Sequence, residues 1–215
     1  MYNTIIFDLD GTLLYTLEDL TASVNYVQRK YNEEIHSLDQ VRRNVGNGIR
    51  NLMKKSVSGG EDNPIFEDAY KDFKEYYWKH NNDNTRPYDG IMELLQALKD
   101  KNIKMAIVSN KAHPAVVDLN EIFFKDYIDV AIGENEANGI KRKPAADEVE
   151  LALERLGTGK EDTLYVGDSN VDKETADNSR LDCVLCSWGF RDKEELEKLN
   201  PKAVINSPLE LLELI

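Results

Sequence analysis

Positive charge, cysteine and long apolar runs are all scarce in this chain. Against 40 Asp and Glu stand 27 Lys and Arg, a net charge of −13 with histidine neutral. A field of that sign repels nucleic acid and anionic lipid, so neither is expected as a partner. No run of about 18 apolar residues exists, so no membrane-spanning helix is expected. No basic segment leads into an apolar stretch and a small-residue cleavage site. MYNTIIFDLDG passes straight into structure and reads as the start of a cytoplasmic protein. Cysteine is limited to Cys183 and Cys186 in LDCVLCSWG. Their C-x-x-C spacing invites a redox or zinc reading, but no second pair completes a zinc site. The surroundings are strand-like, and residues three apart on a strand face opposite ways. Two structural thiols in a reducing compartment are expected.

What is present is strand and helix in alternation. A length of 215 residues suits one large domain or a core with a smaller insert. NTIIF is short, apolar and β-branched, as a buried strand should be. From Leu17 to Tyr31, the residues Leu20, Val24, Val27 and Tyr31 recur at helical spacing. SLDQ (37–40) reads as a capping box opening another helix. Phe66, Tyr70, Phe73 and Tyr77 line a further helix, a stripe read as core packing. Residues 16–81 thus show helical texture only. After NNDNTRPYDG, helical segments alternate with the strands IKMAIVSN, YIDVAIG, TLYVGD, LDCVLCSWG and KAVIN, and PLELLELI reads as a closing helix. This alternation predicts an α/β fold: a parallel, Rossmann-like sheet flanked by helices, with an inserted all-helical block. The core comprises 1–15 and 82–215, and the inserted block 16–81.

Three strands end in polar residues: IIF-DLDGT, AIV-SN and LYV-GDS. Open parallel sheets bind ligands beyond their carboxyl ends. Asp8, Asp10, Ser109, Asn110 and Asp168 would therefore meet at one rim, with Lys143 in the loop before another helix. Asp8 and Asp10 share a side if the chain stays extended. Asp168 and Asp172 share a helix face if a helix begins near Ser169. Carboxylates crowded this way call for a cation, and a hard divalent ion such as Mg²⁺ suits oxygen ligands. Lys143, Ser109 and backbone N–H groups would then bind phosphoryl oxygens. Each feature has a plainer reading: DGT as a turn, Asp168 as a helix cap, Lys143 as a loop lysine. Their joint occurrence at successive strand ends favours catalysis.

With these residues in view, the chain resembles the haloacid dehalogenase-like hydrolase superfamily. FDLDGTL, IVSN, Lys143-Pro144 and GDSNVD are similar to its four motifs. VGNG, RPYDGI and SWGFR resemble stretches of its phosphoglycolate phosphatase-like group. The chain departs from that group at Tyr15-Thr16 and Ala146, and Lys141 and Arg142 flank the third motif as rivals to Lys143. The resemblance implies a phosphoric monoester hydrolase working through an aspartyl-phosphate. Asp8 would be the nucleophile and Asp10 the acid/base. Lys143, Thr12, Ser109 and the Asn110 N–H would bind phosphate. Mg²⁺ would be held by Asp8, the Asp10 carbonyl and Asp168, with Asp172 direct or through water. The helical block 16–81 is similar to the family's inserted all-helical cap domain, which would close over the site, and Asn47, Gly48 and Arg50 would contact substrate. A small phosphorylated metabolite is the implied partner, and the protein a monomer or homodimer. The alternatives are a phosphosugar mutase of the same superfamily and, in a different class, a non-enzymatic phospho-aspartate receiver module.

Overall fold

The computed structural model describes residues 2–46 and 48–215. The chain divides into two units, one through Leu14 with Pro87–Ile215 and one of Tyr15–Arg86.

The first unit is built on a six-stranded sheet. Its strands are β1 (Thr4–Phe7), β4 (Lys104–Ala112), β5 (Val130–Glu134), β6 (Thr163–Gly167), β7 (Asp182–Cys186) and β8 (Ala203–Ile205). They lie in the order β5-β4-β1-β6-β7-β8, and every pairing is parallel. Central β1 pairs Thr4–Phe7 with Lys104–Ile107 on one side and Thr163–Val166 on the other. The chain winds outward from β1 in one direction, then returns and winds in the other. This reversal opens a crevice at the carboxyl end of β1.

The pleat explains the apolar runs. Ile5, Phe7, Met105, Ile107, Leu164 and Val166 enter one core layer, while Ile6, Ala106, Val108 and Tyr165 enter the other. The first layer is closed by α5 (Ile91–Asp100) and α6 (His113–Phe123), the second by α7 (Asp147–Leu156), α8 (Asn170–Ser179) and α9 (Lys193–Glu197). A strand covered on both faces has no polar side to show, so its sequence runs apolar without alternating. The two cysteines follow the same rule: Cys183 and Cys186 are free and buried in opposite layers. The closing helix expected at PLELLELI is a 3₁₀ segment, Pro208–Glu213. Only Pro208 and Leu211 are buried there, too short an apolar face to hold an α-helix.

The second unit holds α1 (Leu17–Tyr31), α2 (Leu38–Asn44), α3 (Gly48–Ser56) and α4 (Phe66–His80). Leu20, Val24 and Val27 of α1 are buried, as are Phe66, Phe73 and Tyr77 of α4, against which α1 packs. Ser37 and Gln40 form the expected reciprocal capping box at α2. Two short strands lay outside the sequence reading, β2 (Leu14–Tyr15) and β3 (Arg86–Pro87), which pair with each other where the chain passes between units. The second passage falls at Arg86/Pro87, beyond the expected residue 81. Asp19 accounts for the difference. Its buried carboxylate accepts from the backbone N–H and Nδ2 of Asn84 and from the N–H and hydroxyl of Thr85, at 2.8–3.0 Å. Among the described residues, no helix is long and apolar enough to cross a membrane.

Candidate active site

The site lies at the carboxyl ends of β1, β4 and β6. Asp8 directly follows β1, and its N–H continues the ladder to the Val166 carbonyl at 2.9 Å. The chain then turns at once. The Leu9 carbonyl accepts from the N–H groups of Thr12, Leu13 and Leu14, and Gly11 takes a φ of 91°. The extended run needed to align Asp8 with Asp10 therefore ends at Asp8. Their carboxylates go to different lysines: Asp8 Oδ1 lies 2.8 Å from Lys143 Nζ, and Asp10 Oδ1 lies 3.1 Å from Lys111 Nζ. Asp10 is the more open of the two, its side chain 20% exposed.

Lys143 is the hub. Its Nζ is 2.8 Å from both Asp8 Oδ1 and Asp172 Oδ1 and donates to the Tyr165 hydroxyl at 3.2 Å. Its side chain is only 3% exposed. Burial works against that ammonium, but the carboxylates of Asp172 and Asp8 outweigh it and push the lysine well above its ordinary range. The neighbouring cations of the same loop go elsewhere. Arg142 sits 3.7 Å from Glu136, and Lys141 is held by its backbone N–H donating to Asp147.

Asp168 and Asp172 meet by a different route from the one expected. The helix α8 starts at Asn170, with Ser169 as its N-cap, so Asp168 stands outside it. A shared helix face cannot join the two. Instead Asp172, at the third helical position, reaches back: its Oδ2 accepts from the N–H groups of Asp168 and Ser169 and from the Ser169 hydroxyl. Its Oδ1 accepts from Lys143 and Tyr165. Asp172 is thus a cap and a lysine anchor together. Asp168 Oδ2 accepts from the Phe190 N–H at 2.6 Å.

Asp8, Asp168 and Asp172 each bring a carboxylate oxygen within 4.8 Å of the others. Three buried carboxylates against one lysine leave an excess of negative charge when ionised. Burial pushes the Asp8 carboxyl up to about 7, with Lys143 opposing and Asp172 and Asp10 adding repulsion. Asp168 is driven well above the usual carboxylate range by burial, then by Asp172 and Asp8. Convergent buried oxygens with surplus charge match the donor set of a hard divalent cation.

The remaining predicted residues fall as follows. Ser109 is buried, its hydroxyl accepting from the Lys111 N–H at 3.3 Å. Asn110 ties the strand end to the lysine loop, its Nδ2 donating to the Lys143 carbonyl at 3.1 Å. Thr12 is buried in the turn after Asp10. Gly48 opens α3 in the second unit with a φ of 77°. Arg50 is engaged by Glu61 and Glu67 and stacks on Phe66 and Tyr70. Asn47 lies outside the described residues.

Three further residues at the site carry little signal in the sequence. Lys111 directly follows Ser109-Asn110. It was hidden because β4 runs on to Ala112 through a register shift against β5, which re-aims the chain. Tyr165 offered a fainter signal, a phenol in the middle of a buried apolar strand, which needs a partner. Glu148, in the first turn of α7, reads as an ordinary exposed helix acid. It is fully buried, and among the described residues neither carboxylate oxygen has a hydrogen-bond partner. Burial pushes it up to about 8, against the pull of Lys143 and with repulsion from Asp8, Glu134 and Glu136.

Comparison with known proteins gives the family. The family model for haloacid dehalogenase-like hydrolases matches residues 5–186. A phosphoglycolate phosphatase of Aquifex aeolicus is 29% identical over 98% of this chain and 95% of its own length. One from Rhodobacter capsulatus is 33% identical, covering 89% and 87%. A solved structure from Lactobacillus delbrueckii subsp. bulgaricus, a candidate phosphoglycolate phosphatase, aligns with a TM-score of 0.92 at 31% identity, covering 100% of this chain and 98% of that one. Sheet order, rim chemistry and these likenesses agree: the chain belongs to the haloacid dehalogenase-like hydrolase family, within its phosphoglycolate phosphatase-like group of phosphoric monoester hydrolases.

Proposed function

We propose that this chain hydrolyses a small phosphomonoester in two displacements through a phosphorylated Asp8. The observation that carries the reading is the buried contact of Asp8 with Lys143 and Asp172 beside Asp168. In the first displacement an Asp8 oxygen attacks phosphorus and the bond to the leaving oxygen breaks. Asp10 gives its proton to that oxygen, releasing an alcohol. In the second, Asp10 takes a proton from water, whose oxygen attacks the same phosphorus. The bond to Asp8 then breaks, freeing inorganic phosphate and the starting carboxylate. Lys143 offsets charge on the phosphoryl oxygens, the main task in this chemistry. Thr12, Ser109 and the Asn110 N–H orient those oxygens. Lys111 holds the Asp10 carboxylate in place.

Asp8, the Asp10 carbonyl and Asp168 would hold a divalent cation, Mg²⁺ in this reading, which would supply positive charge that keeps Asp8 ionised and offsets charge on the phosphoryl group. Asp172 supports that arrangement by anchoring Lys143 and the start of α8. The names of the relatives support a phosphoglycolate-like substrate.

The test is turnover of a panel of phosphate esters, phosphoglycolate included, with and without Mg²⁺. Wild-type protein is expected to release phosphate only with the metal. Asp8→Asn is expected to lose roughly 10³-fold or more of that activity. An Asp8→Asn protein with intact turnover would remove the nucleophile assignment.

A further inference from the structure

We propose that the turn after β7, Ser187–Phe190, positions Asp168 for its cation, and that Trp188 is the residue that locks this turn in place. The proposal rests on the reading above, in which Asp168 holds a divalent ion.

The contacts converge from three sides. The Phe190 N–H donates to Asp168 Oδ2 at 2.6 Å, which fixes the rotation of that carboxylate. Gly189 lets the backbone come this close: a Cβ there would lie 2.4 Å from Asp168 Cβ and Oδ2 and 2.6 Å from the Gly11 carbonyl oxygen. Gly11 is matched from the other side, since a Cβ on it would lie 2.5 Å from Asp168 Oδ2 and 2.9 Å from the Phe190 ring. Asp168 is thus gripped between two glycines from distant parts of the chain.

Trp188 closes the arrangement. Its indole Nε1–H donates to the Thr12 carbonyl at 3.0 Å, and its ring packs on the core layer below β1. One hydrogen bond therefore ties the turn that orients Asp168 to the turn that carries Asp10 and follows Asp8. Asp8 and Asp168 follow neighbouring strands, β1 and β6, whose ladder runs up to the Asp8 N–H; past the strand ends, the Trp188 bond holds the two turns against each other. Trp188 touches none of the reacting atoms. It is a positioning residue, acting on cation affinity through the spacing of Asp8 and Asp168. Outer partners of metal ligands typically account for about 10–100-fold in affinity.

The experiment compares Trp188→Phe, which keeps an aromatic side chain and deletes the N–H, with Asp168→Asn and wild type. Mg²⁺ binding is measured by calorimetry without substrate. The Trp188→Phe dissociation constant is expected to rise roughly tenfold, with Asp168→Asn showing no measurable binding. An unchanged constant in Trp188→Phe, whatever happens to its metal-free melting temperature, overturns the positioning role. Wild-type affinity in Asp168→Asn overturns the metal-ligand reading instead. If Trp188→Phe does not fold, Trp78→Phe decides. Trp78 is largely exposed on α4, and its removal leaves Trp188 as the only tryptophan. A saturable change in Trp188 emission at the calorimetric Mg²⁺ constant supports the coupling, and a flat emission overturns it.

Discussion

Lys143 in the sheet unit and Arg50 in the helical unit are each bracketed by two carboxylates. Lys143 lies 2.8 Å from Asp8 and from Asp172, and Arg50 lies 2.8 Å from Glu61 and 2.6 Å from Glu67. The distances are alike, but the surroundings are opposite. Arg50 is 43% exposed and shares its charge with water, and exposed pairs of this kind contribute little to stability. Lys143 has no such outlet, so its partners depend on it for compensation. The same contact distance thus joins groups that share water in one unit and groups shut away from it in the other, where the proposed mechanism places Lys143 on the phosphoryl oxygens. Burial, rather than the number of ion pairs, marks the candidate site.

Substitution should separate the two most sharply. Lys143→Met leaves Asp8 and Asp172 buried without their cation. Removing one partner of such a group costs about 3–5 kcal/mol, read as a lowered urea midpoint. Turnover is expected to fall about 10²–10³-fold even with saturating Mg²⁺.

Glu148 sharpens the contrast from the other side, as a buried acid with no hydrogen-bond partner among the described residues. Its folded value of about 8 lies above the ordinary 4.5. Across that window the folded state holds a proton that the unfolded state releases. The stabilising contribution is complete below about pH 4.5 and is lost as pH rises through 8. Glu148→Gln removes that dependence. The variant should match wild type near pH 5 and exceed it by on the order of 2–4 kcal/mol at pH 9. Urea titrations at the two pH values, taken as differences between the proteins, check this. A difference that stays constant with pH would show that Glu148 is ionised when folded.

Cation binding should carry a smaller pH dependence. Asp8 is raised to about 7, so a proton competes with the cation below that pH. Mg²⁺ affinity should be roughly tenfold weaker at pH 6 than at pH 8 and level off above it. Calorimetry at the two pH values measures the ratio directly. The smallest effect belongs to Arg50→Met, whose urea midpoint should stay within replicate scatter and whose KM should change less than about twofold. A larger KM change with unmoved melting would give Arg50 a role toward substrate.

Much of the frame was readable because single residues report burial by period. Ile5, Ile6 and Phe7 are apolar in succession because the sheet is covered on both faces, and α1 declares itself through Leu20, Val24 and Val27. The polar strand ends also pointed to one rim, because a parallel sheet sends every carboxyl end the same way. What the sequence hid depends on contacts between distant segments. The grip of Asp172 on Ser169 and Lys143 has no periodic signature, and Lys111 was masked by an irregular strand end. Two-residue strands such as Leu14–Tyr15 are too short to show any period at all.

The joined ends of the helical unit carry a consequence for how the molecule is put together. The Arg86 guanidinium lies 4.6 Å over the Tyr15 ring and pairs with Glu18, while Asp19 grips Asn84 and Thr85. Entry and exit of the insertion are stapled by its own side chains. For the sheet unit, the intervening helices then act as a short hairpin: the loop-closure entropy that grows with chain length is met inside the insertion. Such a piece can be lengthened, trimmed or exchanged for another without redrawing the sheet, so long as its two ends still meet.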